Sequence, residues 1–168
     1  MIEIIGQALG IIAVILGFVS YQMKTPRGIL IFQLTTASIF AVHYLLIGAY
    51  TAMALNLLCA ISCLFYYFRD KRGGKSLAEP IIFTVLIVIV SILTWDGWYS
   101  VFIMAGLVVN SISLTLADAQ KTRYCMFLKT PLCIVYNVIV LSLGGVIYEC
   151  TVLVSSIIAV IKNRRKAK

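Results

Sequence analysis

Five polar side chains lie inside long apolar stretches of the chain, where they can act as hydrogen-bond donors and acceptors. They are Gln33, His43, Asn56, Asn110 and Asn137. If these stretches cross a membrane, each polar group is costly unless it faces protein or a water-filled cavity. We therefore predict that the five side chains line one pocket that binds a small polar solute. The alternative for each is a packing role, with one hydrogen bond to a neighbouring helix.

His43 is the single histidine of the chain. Its imidazole titrates near neutral pH, so a substrate contact or proton-sensitive group is one interpretation, and a packing histidine is the other. No carboxylate or cysteine stands beside it at ligand spacing, so we predict no metal site and no cofactor. The chain also lacks HExxH, GxSxG, paired intramembrane aspartates and a glycine-rich phosphate loop, which predicts that it is not an enzyme.

Lys129 lies more than one turn inside an apolar stretch and shortly before Pro131. Its long side chain can snorkel to the cytoplasmic headgroups, which is the first interpretation. The others are a pair with Asp118, contact with an anionic substrate from the cytoplasmic side, and gating.

Seven apolar stretches have the length that a membrane-spanning helix needs, about 17 to 25 residues. The chain is 62% hydrophobic and 12% charged with a mean hydropathy of +1.05, far from a soluble domain. We predict an all-α integral membrane protein with a bilayer around a single transmembrane domain. The first stretch lacks a basic leader region and a clear cleavage site, so we expect it to be retained. The predicted spans are residues 4–21, 28–47, 51–68, 77–95, 99–116, 124–143 and 146–161.

The Lys and Arg residues alternate with the spans. All 14 fall in 24–27, 69–75, 121–129 and 162–168, whereas the other turns hold none. Because basic loops stay in the cytoplasm, the N-terminus is predicted outside and the C-terminus inside. The net charge of +8 then needs no nucleic-acid partner. No span has a carboxylate near its middle, which favours facilitated diffusion over ion coupling. The same topology places three of the six acidic residues outside. Those acidic residues are Glu3, Asp96 and Glu149.

An internal repeat is indicated by a shift of about 96 residues. It predicts two parallel three-helix repeats, residues 1–72 and 98–168, joined by a linker helix in 73–97 that faces lipid. The alternative of aligning the two Lys-Thr-Pro triplets would bury two basic residues, so we reject it. The aligned pairs are Gly10 with Gly106, Gly17 with Ser113, Arg27 with Arg123, Phe40 with Tyr136 and Gly48 with Gly144.

Several short runs carry a resemblance to a known family. They are Gly17 to Gln22, Lys24-Thr25, Gln33, His43-Tyr44, Gly48 to Thr51 and Asn56. In these runs, and over essentially its whole length, the chain resembles the YgjV family of bacterial inner-membrane proteins. The resemblance implies a multi-pass protein of the bacterial inner membrane.

The 3+1+3 plan is more distantly similar to the SWEET and PQ-loop group of solute carriers. That group has Pro-Gln where the first helix of each repeat bends, but here Tyr21 precedes Gln22 and Ala119 precedes Gln120. The resemblance makes Gln22 and Gln120, with Lys129, candidates for gating or for the cytoplasmic side. It implies a facilitative carrier of a small polar solute. The alternative is a non-transporting receptor, scaffold or assembly factor, and a homo-oligomer is compatible with both.

Overall fold

The computed structural model describes residues 2–22, 26–72, 78–113 and 119–166, and all regular structure in these ranges is helical. The chain forms seven helices there, as the sequence predicts. They are α1 (Ile2–Gln22), α2 (Pro26–Leu46), α3 (Tyr50–Arg72), α4 (Ala78–Leu93), α5 (Ser100–Ser113), α6 (Ala119–Ile139) and α7 (Leu143–Lys166).

Each helix packs on its neighbours in the chain, and α1 also packs on α7 while α3 packs on α5. We call α1–α3 the first unit and α5–α7 the second unit. The helix contacts within and between the two units correspond in pairs. The α1–α2 contact corresponds to α5–α6, α2–α3 corresponds to α6–α7, and α1–α7 corresponds to α5–α3. The helix α4 packs on α3 and α5 and has no such counterpart.

The α2–α3 and α6–α7 turns have the same backbone hydrogen bonds. Gly48 and Leu141, 93 positions apart, both adopt positive φ, at 77° and 56°. A residue in this left-handed conformation after a helix lets following N–H groups bond the last carbonyls of that helix. The matching bonds run from Ala49 N–H to the Tyr44 carbonyl and from Ser142 N–H to the Asn137 carbonyl, both 2.9 Å.

These turns place matching residues 93 positions apart, whereas the sequence alignment used 96. The alignment paired Gly48 with Gly144, because glycine is the residue expected at positive φ. In the structure Leu141 takes that conformation, and Gly144 lies inside α7.

The helix α7 begins at Leu143, three residues before the predicted start. Its first turn contains Gly144, which approaches α1 so closely that a Cβ there would lie 2.5 Å from the Cα of Gly10. Small residues at such a crossing let two backbones pack directly. Glu149 lies within α7, as it does within the predicted span 146–161, and is 5% exposed. Its placement on the outer side of the membrane stays a prediction.

The linker helix α4 is buried along one face, formed by Phe83, Ile87 and Ser91. These positions are four residues apart, so they share one side of a helix. The expectation that the whole linker faces lipid is therefore wrong for this side. The opposite side, with Ile81, is exposed.

The outside of the bundle carries many exposed large apolar side chains, among them Ile15, Ile61, Ile81 and Leu128. Such a surface suits hydrocarbon better than water. By length and composition, one segment with described side chains, Tyr50–Arg69, is long and apolar enough to cross a membrane. Six further helices contribute apolar stretches of 10–17 residues within the described positions.

Candidate functional site

Buried polar groups gather at the end of the bundle that carries the α2–α3, α4–α5 and α6–α7 connections, which we call the turn end. His43 is fully buried there. Its Nδ1 lies 2.7 Å from the Gly6 carbonyl oxygen, which can only accept, so Nδ1 carries the proton and donates. In the neutral ring Nε2 is then the acceptor, and the Ser142 hydroxyl donates to it at 2.7 Å. The Ser142 oxygen in turn accepts the Gly145 N–H at 3.1 Å.

This chain of bonds joins α1 and α2 of the first unit to the α6–α7 turn of the second. A second bond between the units lies beside it: the Tyr44 hydroxyl donates to Oδ1 of Asn137 at 2.6 Å. The Asn137 amide nitrogen donates to the Cys133 carbonyl in its own helix at 2.9 Å. His43 and Asn137, both predicted site residues, therefore lie in one buried polar network.

Gln7 holds the start of α7 through two further bonds that the sequence did not indicate. Its amide nitrogen donates to the Leu141 carbonyl at 2.8 Å, and its amide oxygen accepts the Leu143 N–H at 3.1 Å. Both partners are backbone groups, so no side-chain pattern could have shown them.

The start of α3 is held in a similar way from the α4–α5 connection. The Asp96 carboxylate accepts the Thr51 N–H at 2.7 Å, which satisfies a helix N-terminal donor. The Thr51 hydroxyl donates to the Thr94 carbonyl and lies 3.1 Å from the Ser100 hydroxyl on α5. Hydrogen bonds at the turn end thus cross both interfaces between the units, α1–α7 and α3–α5.

Lys129 and Glu149 form an ion pair inside the bundle. Their Nζ and Oε1 atoms are 3.0 Å apart, and the residues are only 7% and 5% exposed. Lys129 is near the middle of α6, and the pair links it to α7. The prediction that Lys129 snorkels to the headgroups is therefore wrong, because its ammonium turns to a buried carboxylate. Asp118, the other predicted partner, lies outside the described residues.

The surroundings of the pair are partly polar and partly aromatic. The Tyr148 ring centroid is 5.9 Å from Nζ of Lys129. Cys133 lies against the Glu149 carboxylate. The second carboxylate oxygen, Oε2, is buried and has no hydrogen-bond partner among the described residues. Glu149, about two turns into α7, thus retains an acceptor that these residues leave unused.

The first unit places neutral residues where the second has this pair. By the 93-residue spacing of the turns, Lys129 corresponds to Thr36 and Glu149 corresponds to Asn56. Thr36 is buried, and its hydroxyl bonds to none of the residues that the structure describes. The Asn56 amide donates to the Ala52 carbonyl of its own helix at 2.9 Å. The same kind of helix pair is therefore built once with charges and once without them.

Asn110 lies elsewhere, at a cavity between α3, α4 and α5. The cavity measures about 20 Å³, room for a single water molecule. Its polar lining consists of Asn110, Ser111, Cys59, Ser62 and Tyr66. Tyr66 is buried, and within the described ranges its hydroxyl has no hydrogen-bond partner.

The five predicted pocket residues are thus divided among separate places. His43 and Asn137 share the network at the turn end, and Asn110 lines the small cavity. Asn56 bonds the Ala52 carbonyl of its own helix, and Gln33 accepts a long 3.9 Å contact from the Cys63 thiol. The expected single cavity is not formed by these residues where the structure describes them. The side chains of Gln22 and Gln120 lie outside the described part of the chain.

A metal centre is not assembled by the described residues, since His, Cys, Asp and Glu nowhere form a group of three there that could hold an ion.

The helical bundle, its apolar outer surface and its buried polar interior define the class: an all-helical membrane protein. The family model of the Imp-YgjV family, bacterial inner membrane proteins, matches residues 4–167. The chain belongs to this family and is a multi-pass protein of the bacterial inner membrane, as its sequence indicates. No curated protein and no solved structure matches the chain.

Proposed function

We propose that this inner-membrane protein is a carrier of a small polar solute, and that the solute passes between the first and second units. The observation that supports it is the bonding between the units at the turn end. There the His43–Ser142 and Tyr44–Asn137 side-chain pairs join α2 to the second unit. Carriers built from repeats bind their substrates at the repeat interface.

The physical reason is that hydrogen bonds between units can be exchanged. A polar side chain that bonds across an interface can bond a solute instead, so opening the interface need not leave it unsatisfied. Helices that only pack in lipid are held by close contacts of small residues, as at Gly10 and Gly144. The unit interface contains both kinds of contact, and the polar kind suits a route for a polar solute.

The carrier proposal includes two parallel three-helix repeats joined by α4, with the N-terminus outside and the C-terminus in the cytoplasm. The repeat is supported by the helix contacts, which correspond in pairs between the two units, and by the matching turns at Gly48 and Leu141. The basic residues near Lys24, Arg72 and Lys121 support the orientation. Facilitated diffusion is no longer favoured over ion coupling, because Glu149 is a carboxylate inside a helix.

A non-transporting scaffold or assembly factor is the second candidate. It is favoured by the complete hydrogen bonding of the His43 ring, whose two nitrogens are both engaged, and by the small size of the Asn110 cavity. A polar network used only for packing would look the same.

The two candidates differ in flux. A thermal-shift screen of a solute library on the purified protein should reveal a ligand, because a solute that binds the folded state raises its apparent stability. Uptake of that labelled solute into proteoliposomes is then compared with protein-free liposomes. The carrier proposal expects saturable uptake that depends on the protein. Uptake equal to that of the protein-free control for every stabilising solute would contradict the carrier proposal and favour the scaffold.

A further inference from the structure

We propose that Lys129 and Glu149 bind a zwitterionic solute, such as an α-amino acid or a betaine, with its carboxylate on Lys129 and its cationic nitrogen on Glu149. This assignment rests on the carrier proposal, because it names the class of solute that the route takes. It begins from the buried ion pair, in which Nζ and Oε1 are 3.0 Å apart.

The pair is not needed to build the helix hairpin. The corresponding hairpin of the first unit has the same turn and packs α2 on α3 with Thr36 and Asn56 at the matching positions. Replacing a buried ion pair by neutral residues is often neutral or stabilising, because the pair must be removed from water. Stability therefore does not account for charges in the second unit, and ionisable groups within a membrane mark substrate or ion pathways.

The charge balance selects the class of solute. The pair is electrically neutral, so a solute with a single charge would leave that charge uncompensated away from water. A neutral solute would replace a charge-assisted hydrogen bond by weaker ones. A zwitterion offers one opposite charge to each side chain and keeps the site neutral.

The geometry around the pair provides places for both ends of such a solute. Oε2 of Glu149 is a buried acceptor that bonds no group in the described part of the chain, which suits a cationic nitrogen. An aromatic ring attracts cations, and the Tyr148 ring is 5.9 Å from Nζ of Lys129. The Lys129 ammonium has three N–H donors, so it can bind the carboxylate of the solute while its bond to Glu149 breaks.

The pair also faces the first unit, as a site between units requires. The Tyr148 ring, 5.9 Å from Nζ of Lys129, packs on Phe40 of α2 with the two ring centroids 5.2 Å apart. Lys129 and Glu149 are 7% and 5% exposed, so a solute reaches them only as the units part. That is the same movement that transport between the units needs.

The test uses four small probes of similar size on the purified full-length protein: L-alanine as zwitterion, L-lactate as anion, isopropylamine as cation and lactamide as neutral solute. The other standard amino acids and glycine betaine extend the zwitterion group. Binding is measured by thermal shift and by titration calorimetry up to millimolar concentrations. We expect stabilisation by members of the zwitterion group and none by the three matched probes.

The control variant is Lys129→Thr with Glu149→Asn, which copies the residues of the first unit. It removes both charges together, since a single substitution would leave a buried charge unpaired. We expect it to fold with a melting temperature at or above that of the wild type. Its affinity for the stabilising zwitterion should fall at least about tenfold, because the charge-assisted bonds are gone.

The outcomes separate this assignment from the carrier proposal. A singly charged or neutral solute that binds wild type and double variant equally, and is taken up by proteoliposomes, overturns the zwitterion site but keeps the carrier. No stabilisation by any zwitterion also overturns the site. A zwitterion that binds through the pair without any uptake supports the site and overturns the carrier.

Discussion

The His43 ring shows how one buried residue can connect three parts of a bundle. Its neutral form has one donor and one acceptor, and the Gly6 carbonyl and the Ser142 hydroxyl use one each. Removing the ring would leave the Gly6 carbonyl without this donor and the Ser142 hydroxyl without its acceptor. Buried polar groups that lose a hydrogen-bond partner lower the stability of the fold. The same ring therefore ties the units together whether or not a solute passes beside it.

The His43→Ala substitution should lower the free energy of unfolding by about 1 to 3 kcal/mol, because two buried hydrogen bonds are lost. Asn56→Ala is the matched control: its amide bonds only the Ala52 carbonyl of its own helix among the bonds seen, and we expect a loss of about 0.5 kcal/mol. Melting temperatures of both variants in the same detergent provide the comparison. Equal melting temperatures would contradict a structural role for the His43 bonds.

At this scale the sequence indicated important residues but not their partners. Polar residues in apolar spans pointed to His43 and Asn137, since such groups must be satisfied inside a membrane protein. The bonds of Gln7 end on backbone atoms, which no side-chain pattern reveals. The partner of Lys129 was not predicted, because Glu149 is 20 positions away on the next helix and a single sequence does not show which side chains of two helices meet.

At the scale of the element, the two matching turns use different residue types at the same backbone position. The same left-handed conformation is taken by Gly48 in one turn and by Leu141 in the other. Glycine adopts it without penalty, whereas the Cβ of other residues crowds the backbone. Sequence alignment followed the glycines and was therefore displaced by three residues. Backbone hydrogen bonds identify the matching turns, because they depend on the conformation and not on the residue type.

The Leu141→Gly substitution should stabilise the protein by about 1 kcal/mol, because it removes the strain of positive φ. The side chain is 76% exposed, so little packing is lost with it. The control is Leu57→Gly, at a residue that is 51% exposed and inside α3, where glycine should destabilise by about 1 kcal/mol. Thermal unfolding in nanodiscs compares the two. A lower melting temperature for Leu141→Gly would show that the leucine contributes more to the turn than its strain costs.

At the scale of the whole molecule, the number of helices follows from composition, whereas their neighbours do not. Long apolar stretches separated by charged or glycine turns indicated seven helices. Which helices touch depends on contacts such as Gly10 against Gly144, and on the hydroxyls of Thr51 and Ser100 between α3 and α5. Such contacts join residues far apart in the chain, and a single sequence does not pair them.

The orientation predicted from the basic residues is tested by fusions at the two termini. A reporter after Lys168 should be cytoplasmic, and a tag before Met1 should be accessible from outside, because Lys and Arg in short loops are retained in the cytoplasm. Antibody accessibility in intact and permeabilised spheroplasts gives the readout. An N-terminal tag that is reached only after permeabilisation would contradict the orientation and the parallel repeat together.

The proposed parting of the units is tested by a cross-link at the turn end. The Gln7 amide oxygen accepts the Leu143 N–H at 3.1 Å, so cysteines at these two positions would lie close together across the α1–α7 interface, within reach of a linker. A membrane-impermeant linker containing a disulfide should join them from outside in the predicted orientation. If the solute passes between the units, uptake by proteoliposomes should fall at least about tenfold on cross-linking and recover on reduction, because the joined helices can no longer separate.

The single variants Gln7→Cys and Leu143→Cys, treated with the same linker, should keep their uptake. Complete cross-linking with undiminished uptake would show that transport does not require α1 and α7 to part at this end.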